Sequence, residues 1–278
     1  MTPSLTDQQR AAFADQGVLV VPNFYDLASD IVPIQRGIHD VIGQVMRRHG
    51  RRDDRAPFDA AGFDDGYLRF IAEDRARGGE VYDAVKQIPA FLRLVAHPAH
   101  EALFRELRVG STPGIAAGGY GIRIDNPNED RFRTHWHQEY PAQLRSIDGL
   151  VMWSPLVPIT EAIGPVNFCL RSHKEGPKPV FTVDPNDSLK TGAYALILKD
   201  EANLLAKYST TALLCEPGDL LVIDFLLLHS SGINRSDRSR WSMQFRYFNF
   251  ADPTGRSYGW KGSYAAGIDF AAIHPELT

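Results

Sequence analysis

The chain changes character once, near Gly110, and that change limits the folds open to it. Before it, apolar residues recur at helical spacing; after it, they sit in short runs closed by Gly, Pro, Asn or Asp. Helices are expected over 5–16, with Thr6 or Asp7 capping the start and Gly17 the end, and over 26–48, where Ile31, Ile34, Ile38, Ile42 and Met46 make an apolar stripe for core packing. Further helices are expected over 67–73 and 81–88, and over 89–107 as two pieces divided at Pro98. Residues 18–22 read as an early strand closed by proline, and 49–63 as an irregular loop. Beyond Gly110, strands are expected at 120–125, 149–156, 166–170, 180–183, 212–215, 220–225 and 240–250. Strands and helices do not alternate regularly, so an antiparallel sandwich or barrel is expected rather than a parallel sheet. The expectation is one α+β domain over 1–278, with mainly helical decoration over 1–110 and a β core over 111–278. Residues 184–211 are an insertion with a helix near 198–207, forming either a lid or an edge cover.

Composition excludes several partners. The formal charge is −4, with no basic excess to hold a phosphate backbone. The one basic run (Arg47, Arg48, Arg51, Arg52) meets Asp53 and Asp54 directly and reads as a solvated helix end. Cys169 and Cys215 are too few for a disulfide framework and sit in apolar surroundings, as reduced packing residues do. There is no apolar run of membrane-spanning length and no basic-apolar leader. A cytoplasmic protein is expected, monomeric or homodimeric, with a small-molecule substrate and neither nucleic acid nor membrane as partner.

Three residues carry the chemistry. His137 and Glu139 are two apart, so in a strand their side chains share a face. His229, in the segment Leu228-His229-Ser230-Ser231-Gly232, can supply a third ligand. Two histidines and one carboxylate with open positions are the facial triad of non-haem iron(II) oxygenases. The spacing alone is weak, since His135 is also two residues from His137 and is an alternative ligand or a pocket wall. In the last strand Arg240, Ser242, Gln244 and Arg246 share one parity, and Trp241, Met243, Phe245 and Tyr247 the other. The polar face meets either water or a ligand cavity. Arg240 with Ser242 suits a carboxylate, as a guanidinium fork plus a hydroxyl. His97, His100 and His173 read as structural, Asp224 as a strand-end group, and Trp136 and Trp153 as core or site wall.

At this point the chain resembles a known family. His135-Trp136-His137-Gln138-Glu139, Gly164-Pro165-Val166-Asn167-Phe168 running on to Arg171-Ser172-His173-Lys174, Glu216-Pro217-Gly218-Asp219, and His229 through Arg240 are similar, in order and spacing, to the motifs of the phytanoyl-CoA dioxygenase family. The resemblance implies a double-stranded β-helix, or jelly-roll, core and an oxygenase using Fe(II), 2-oxoglutarate and O₂. It implies that His137, Glu139 and His229 bind iron. Arg240, with Ser242, would clamp the far carboxylate of 2-oxoglutarate; Ser231 and Trp153 would border the cosubstrate, and Gln138 would sit beside the metal. The family usually has Asp where this chain has Glu139, which lengthens the ligand arm by one methylene. Arg123, His135, Gln244 and Arg246 are expected near the substrate; Arg123 and Arg246 pair either with an acidic substrate or with carboxylates such as Asp125. The reaction implied is hydroxylation of an unactivated C–H bond in a small polar or secondary metabolite, with release of succinate and CO₂. The alternatives are a cupin-like isomerase or hydrolase using the same triad without 2-oxoglutarate, and an inactive jelly-roll binding protein.

Overall fold

The computed structural model describes residues 4–262 and 269–278. The first half is helical, as expected. Thr6 caps α1 (Asp7–Gln16) by accepting from the Gln9 amide, and Gly17 ends it at φ 83°, returning its N–H to Phe13. After β1 (Val18–Val21), a wide turn at Leu27–Ile31 leads into α2 (Val32–Arg48), whose Ile34, Ile38, Ile42 and Met46 are buried. There follow α3 (Tyr67–Glu73), α4 (Ala76–Val85), α5 (Pro89–Val95) and α6 (Pro98–Leu107). The break at Pro98 is where its missing N–H predicts it. Helix α4 starts five residues before the expected 81 and takes in Gly78 and Gly79. Gly78 is buried against Tyr67 and Arg75 and lets the helix pack closely.

The second half is antiparallel β. It comprises β2 (Pro113–Ile115), β3 (Gly121–Asp125), the short α7 (Glu139–Gln143), β4 (Gly149–Pro155), β5 (Val166–Cys169), β6 (Val180–Phe181) and β7 (Ile197–Leu198). Then come α8 (Glu201–Leu205), β8 (Thr210–Ala212), β9 (Leu220–Asp224), β10 (His229–Ser231), β11 (Arg240–Asn249), α9 (Pro253–Ser257) and α10 (Phe270–Ile273). The large sheet runs β1-β9-β4-β11-β2, with β3 also paired to β11; β10-β5-β8 form a second sheet, and β6-β7 a two-residue ribbon. The strand expected at 212–215 lies earlier, at Thr210–Ala212, and the one at 180–183 keeps only its first two residues.

Strand β11 decides the layering. Its apolar parity faces the helices: Phe245 stacks on Phe91 (ring centroids 5.7 Å), and Trp241 meets Phe63 and Tyr67. Burying each such ring contributes roughly 1.5–3 kcal/mol relative to exposure. The opposite parity therefore faces the interior side of the sheet. There a cavity of about 510 Å³ is walled by both sheets, through Val151, Trp153 and Gln244 on one side and Val166, His229 and Ser231 on the other. The polar face of β11 is thus a cavity wall and not a solvent face.

Candidate metal centre

His137 and His229 are joined before any ligand arrives. Each donates its backbone N–H to the other's carbonyl (3.0 Å both ways), a single antiparallel bridge at the edge of β10. His229 is paired on its other side with Phe168 of β5. Glu139 does not lie in a strand, contrary to the expectation. It is the first residue of α7, where Pro141 is tolerated because first-turn amides need no helical partner. Its amide and that of Tyr140 both donate to the carbonyl of Phe225, at 2.9 and 3.2 Å.

The three side chains nonetheless converge, with ligand atoms all within 4.8 Å of one another. Glu139 Oε2 is 3.9 Å from His137 Nε2 and 4.0 Å from His229 Nε2. Each imidazole places Nδ1 2.9 Å from a backbone carbonyl, that of His135 for His137 and that of Leu227 for His229. Nδ1 must carry the proton to make those bonds, so Nε2 keeps its lone pair. Burial drives the His137 pKa down to about 3 and lowers that of His229. For Glu139 burial is the largest influence and acts upward, but Arg246 together with His137 and His229 outweighs it and the carboxyl falls to about 2. Two neutral imidazoles and one carboxylate around a point is the donor set of a divalent first-row metal.

The neighbours sort into those that face this point and those that do not. Gln138 borders the cavity as the N-cap residue of α7. Its amide is spent on backbone, donating to Gly176 and Leu226 and accepting from the Lys178 N–H. It ties two loops together beside the metal-facing cavity. Ser231 and Trp153 line the cavity. So does Arg240, which is buried; its Nε and Nη2 reach Asp125 at 3.3 and 2.9 Å, and Nη1 reaches the Gly164 carbonyl. Gly164 and Gly232 let the two loops beside it pack backbone to backbone, since a Cβ on Gly232 would lie 2.2 Å from the Pro165 carbonyl. Ser242 is buried beside Arg240 on the same strand, and its Oγ has no partner among the described residues.

Arg123 also lines the cavity, pairing with Asp125 and donating to the Phe132 carbonyl (2.8 Å). Asp125 is therefore shared by two guanidiniums. Although burial would raise its pKa, they hold it at about 2. His135 is part of the wall but not of the ligand cluster, and its Nε2 is buried without a partner among the described residues. Gln244 lines the wall and accepts from Arg246 Nη2 (2.9 Å). Arg246 also lines the cavity and pairs with a carboxylate of the chain: its Nε meets Glu139 Oε1 at 2.5 Å and its Nη1 the Gly119 carbonyl at 3.1 Å. His173 packs against α1 through the Ala14 carbonyl, as a structural residue.

Six further residues contribute that the sequence did not mark. Gln143 donates to Glu139 Oε1 (3.1 Å), a contact its i+4 spacing could have suggested. Tyr82 and Lys86, at the end of α4, reach the cavity with no sequence signal beyond helix. The insertion is more than an edge cover, because Ala193, Tyr194 and Leu196 wall the cavity.

The family described as phytanoyl-CoA dioxygenase (PhyH) has a model that matches residues 13–242. No curated protein sequence matches the chain. Among solved structures, the fold is similar to the non-heme alpha ketoglutarate dependent carbocyclase SnoK from nogalamycin biosynthesis, at TM-score 0.59 and 15% identity over 88% of this chain and 85% of that one. It is also similar to the epimerase SnoN, crystallised with Fe3+, alpha ketoglutarate and nogalamycin RO, at 0.55 and 18% over 95% and 91%. A third is EctD from S. alaskensis, crystallised with 2-oxoglutarate and 5-hydroxyectoine, at 0.56 and 16% over 88% and 76%.

Proposed function

The chain belongs to the phytanoyl-CoA dioxygenase family and is an iron(II)- and 2-oxoglutarate-dependent oxygenase, and from that premise we propose that it hydroxylates an unactivated C–H bond of a small polar metabolite, releasing succinate and CO₂. The carrying observation is the convergence of His137 Nε2, His229 Nε2 and Glu139 Oε2 on one point of a cavity wall. These three atoms would hold the iron. When bound, the iron supplies the oxidising power that no side chain here possesses.

The remaining work belongs to the chain. Arg240 would receive the far carboxylate of 2-oxoglutarate. Three of its five N–H groups are used, and its counter-ion Asp125 is shared with Arg123, so positive charge is left over on this wall. The unpartnered Ser242 Oγ beside it suits the same anion, with Ser231 and Trp153 along the cosubstrate's flank. A cavity of about 510 Å³ falls in the range of small-molecule sites. Tyr82, Lys86, Tyr120, Arg123, Tyr194 and Gln244 give it a mixed aromatic and polar wall. That wall favours a compact polar substrate, oriented by hydrogen bonds and shielded from water by the 192–196 segment. We propose the same jelly-roll core as the family, in a single cytoplasmic domain that is monomeric or homodimeric. Two buried free cysteines fit such a reducing compartment.

Anaerobic addition of Fe(II) and 2-oxoglutarate tests the reading. A weak visible charge-transfer band, followed by succinate release with a metabolite panel in air, is the expected result. Metal binding without that band favours the isomerase or hydrolase alternative. Binding of neither component favours an inactive binding protein.

A further inference from the structure

We propose that Arg246 is a positioning residue for the metal carboxylate: with Gln143 it holds back Oε1 of Glu139, so that this long-armed acid binds metal through Oε2 alone. The inference rests on the metal reading above and concerns what the extra methylene of Glu139 demands. A glutamate has one more rotatable bond than an aspartate. Left free, it can swing to present both oxygens to a cation. Here the two oxygens have separate tasks. Oε1 accepts from Arg246 Nε at 2.5 Å and from Gln143 Nε2 at 3.1 Å, while Oε2 faces the two histidine Nε2 atoms at 3.9 and 4.0 Å.

The clamp is itself anchored. Arg246 Nη1 donates to the Gly119 carbonyl and Nη2 to Gln244 Oε1, so all three nitrogens of the planar guanidinium are fixed. Gln143 stands one turn after Glu139 on the same helix. The Glu139 side chain is 4% exposed and that of Arg246 17%, so solvent does little to loosen the pair.

The number of open positions depends on this division. An octahedral ion held by two nitrogens and one oxygen keeps three positions, enough for a chelating 2-oxo acid and one further small ligand. A carboxylate binding through both oxygens would leave two. The clamp therefore acts on cosubstrate binding more than on metal binding. It also lowers the donor strength of Glu139, so losing it affects metal affinity in two opposing directions.

Mn(II) affinity, read by EPR, and 2-oxoglutarate affinity of the Mn(II)-loaded protein, read by calorimetry, separate the two effects. In Arg246→Met, 2-oxoglutarate affinity is expected to fall by about 10- to 100-fold, while Mn(II) affinity falls much less or rises. In a Glu139→Asp background, whose carboxylate has one rotatable bond fewer and stops a methylene short of Arg246, the same substitution should lose its effect on 2-oxoglutarate. The proposal is overturned if both affinities fall together, as a merely structural role requires, or if neither moves. If Arg246→Met fails to fold by circular dichroism, Arg246→Lys and Gln143→Leu decide by the same split. Wild-type protein that binds no Mn(II) would sink the metal reading and this proposal with it. Wild-type protein that binds both ligands without the split in the variants sinks this proposal alone.

Discussion

Two pairs of neighbouring histidines, each with one ring buried and one half-buried, sit among the described residues, and one of the pairs makes a site. His97 and His100 have ring centroids 5.8 Å apart; His137 and His229 are 4.2 Å apart. Burial brings both His100 and His137 to about 3. The difference is where the nitrogens go. His97 Nδ1 accepts from the Ala99 amide at the head of α6, and His100 Nε2 meets the Tyr25 hydroxyl at 2.5 Å among Phe24, Phe245 and Tyr247. His137 and His229 spend Nδ1 on carbonyls and aim Nε2 at a carboxylate beside an open cavity. A depressed imidazole pKa thus reports burial; a site also needs convergence and room.

That contrast can be broken most sharply at His137. Replacing it by Ala is expected to abolish Fe(II)-dependent succinate formation while circular dichroism stays native. Retained turnover would show that the convergence has no catalytic meaning. The mirror experiment is His100→Ala, which should cost about 2–4 kcal/mol of unfolding free energy in urea, through a cavity and an unpaired Tyr25 hydroxyl. Turnover per folded molecule should be unaffected, and a fall in metal affinity would erase the distinction drawn here. Arg240→Met is expected to raise the 2-oxoglutarate KM by roughly 10- to 150-fold, the loss of a charged hydrogen bond worth about 1.5–3 kcal/mol. An unchanged KM would remove Arg240 from cosubstrate binding.

A further test is one of pH. The folded His100 pKa of about 3 lies below its ordinary value of 6.5, so below that value the unfolded chain binds the proton first. The contribution of His100 is full above pH 6.5 and is lost progressively as pH falls toward 3, by at most about 1.4 kcal/mol per pH unit. His100→Phe should flatten that part of the stability profile; an unchanged slope would mean that other groups dominate it.

What the sequence made legible follows from how local each signal is. The Thr6 and Gly17 caps, helix α3 and the break at Pro98 depend on a few neighbouring residues and were readable directly. The parity of β11 separated a helix-facing side from a cavity-facing side, although it did not say which way the polar side looked. The meeting of His137, Glu139 and His229 came from motif order across the chain, since spacing could not choose between His135 and His137. The hidden features are those with no local cause. Arg246 and Glu139 are both polar residues with several possible partners, and only the pairing of β11 against β4 and the placement of α7 bring them together. The same holds for Tyr194, which reaches the cavity from an insertion whose course no periodicity marks.

The reciprocal backbone bridge between His137 and His229 has one more consequence. Donors from distant parts of the chain are already stitched together by main-chain bonds, with Phe225 fastening the third from behind. The cation then enters a finished socket; it does not assemble one. Stripping it with a chelator should silence the protein and leave it standing, the reverse of small zinc modules that collapse when emptied.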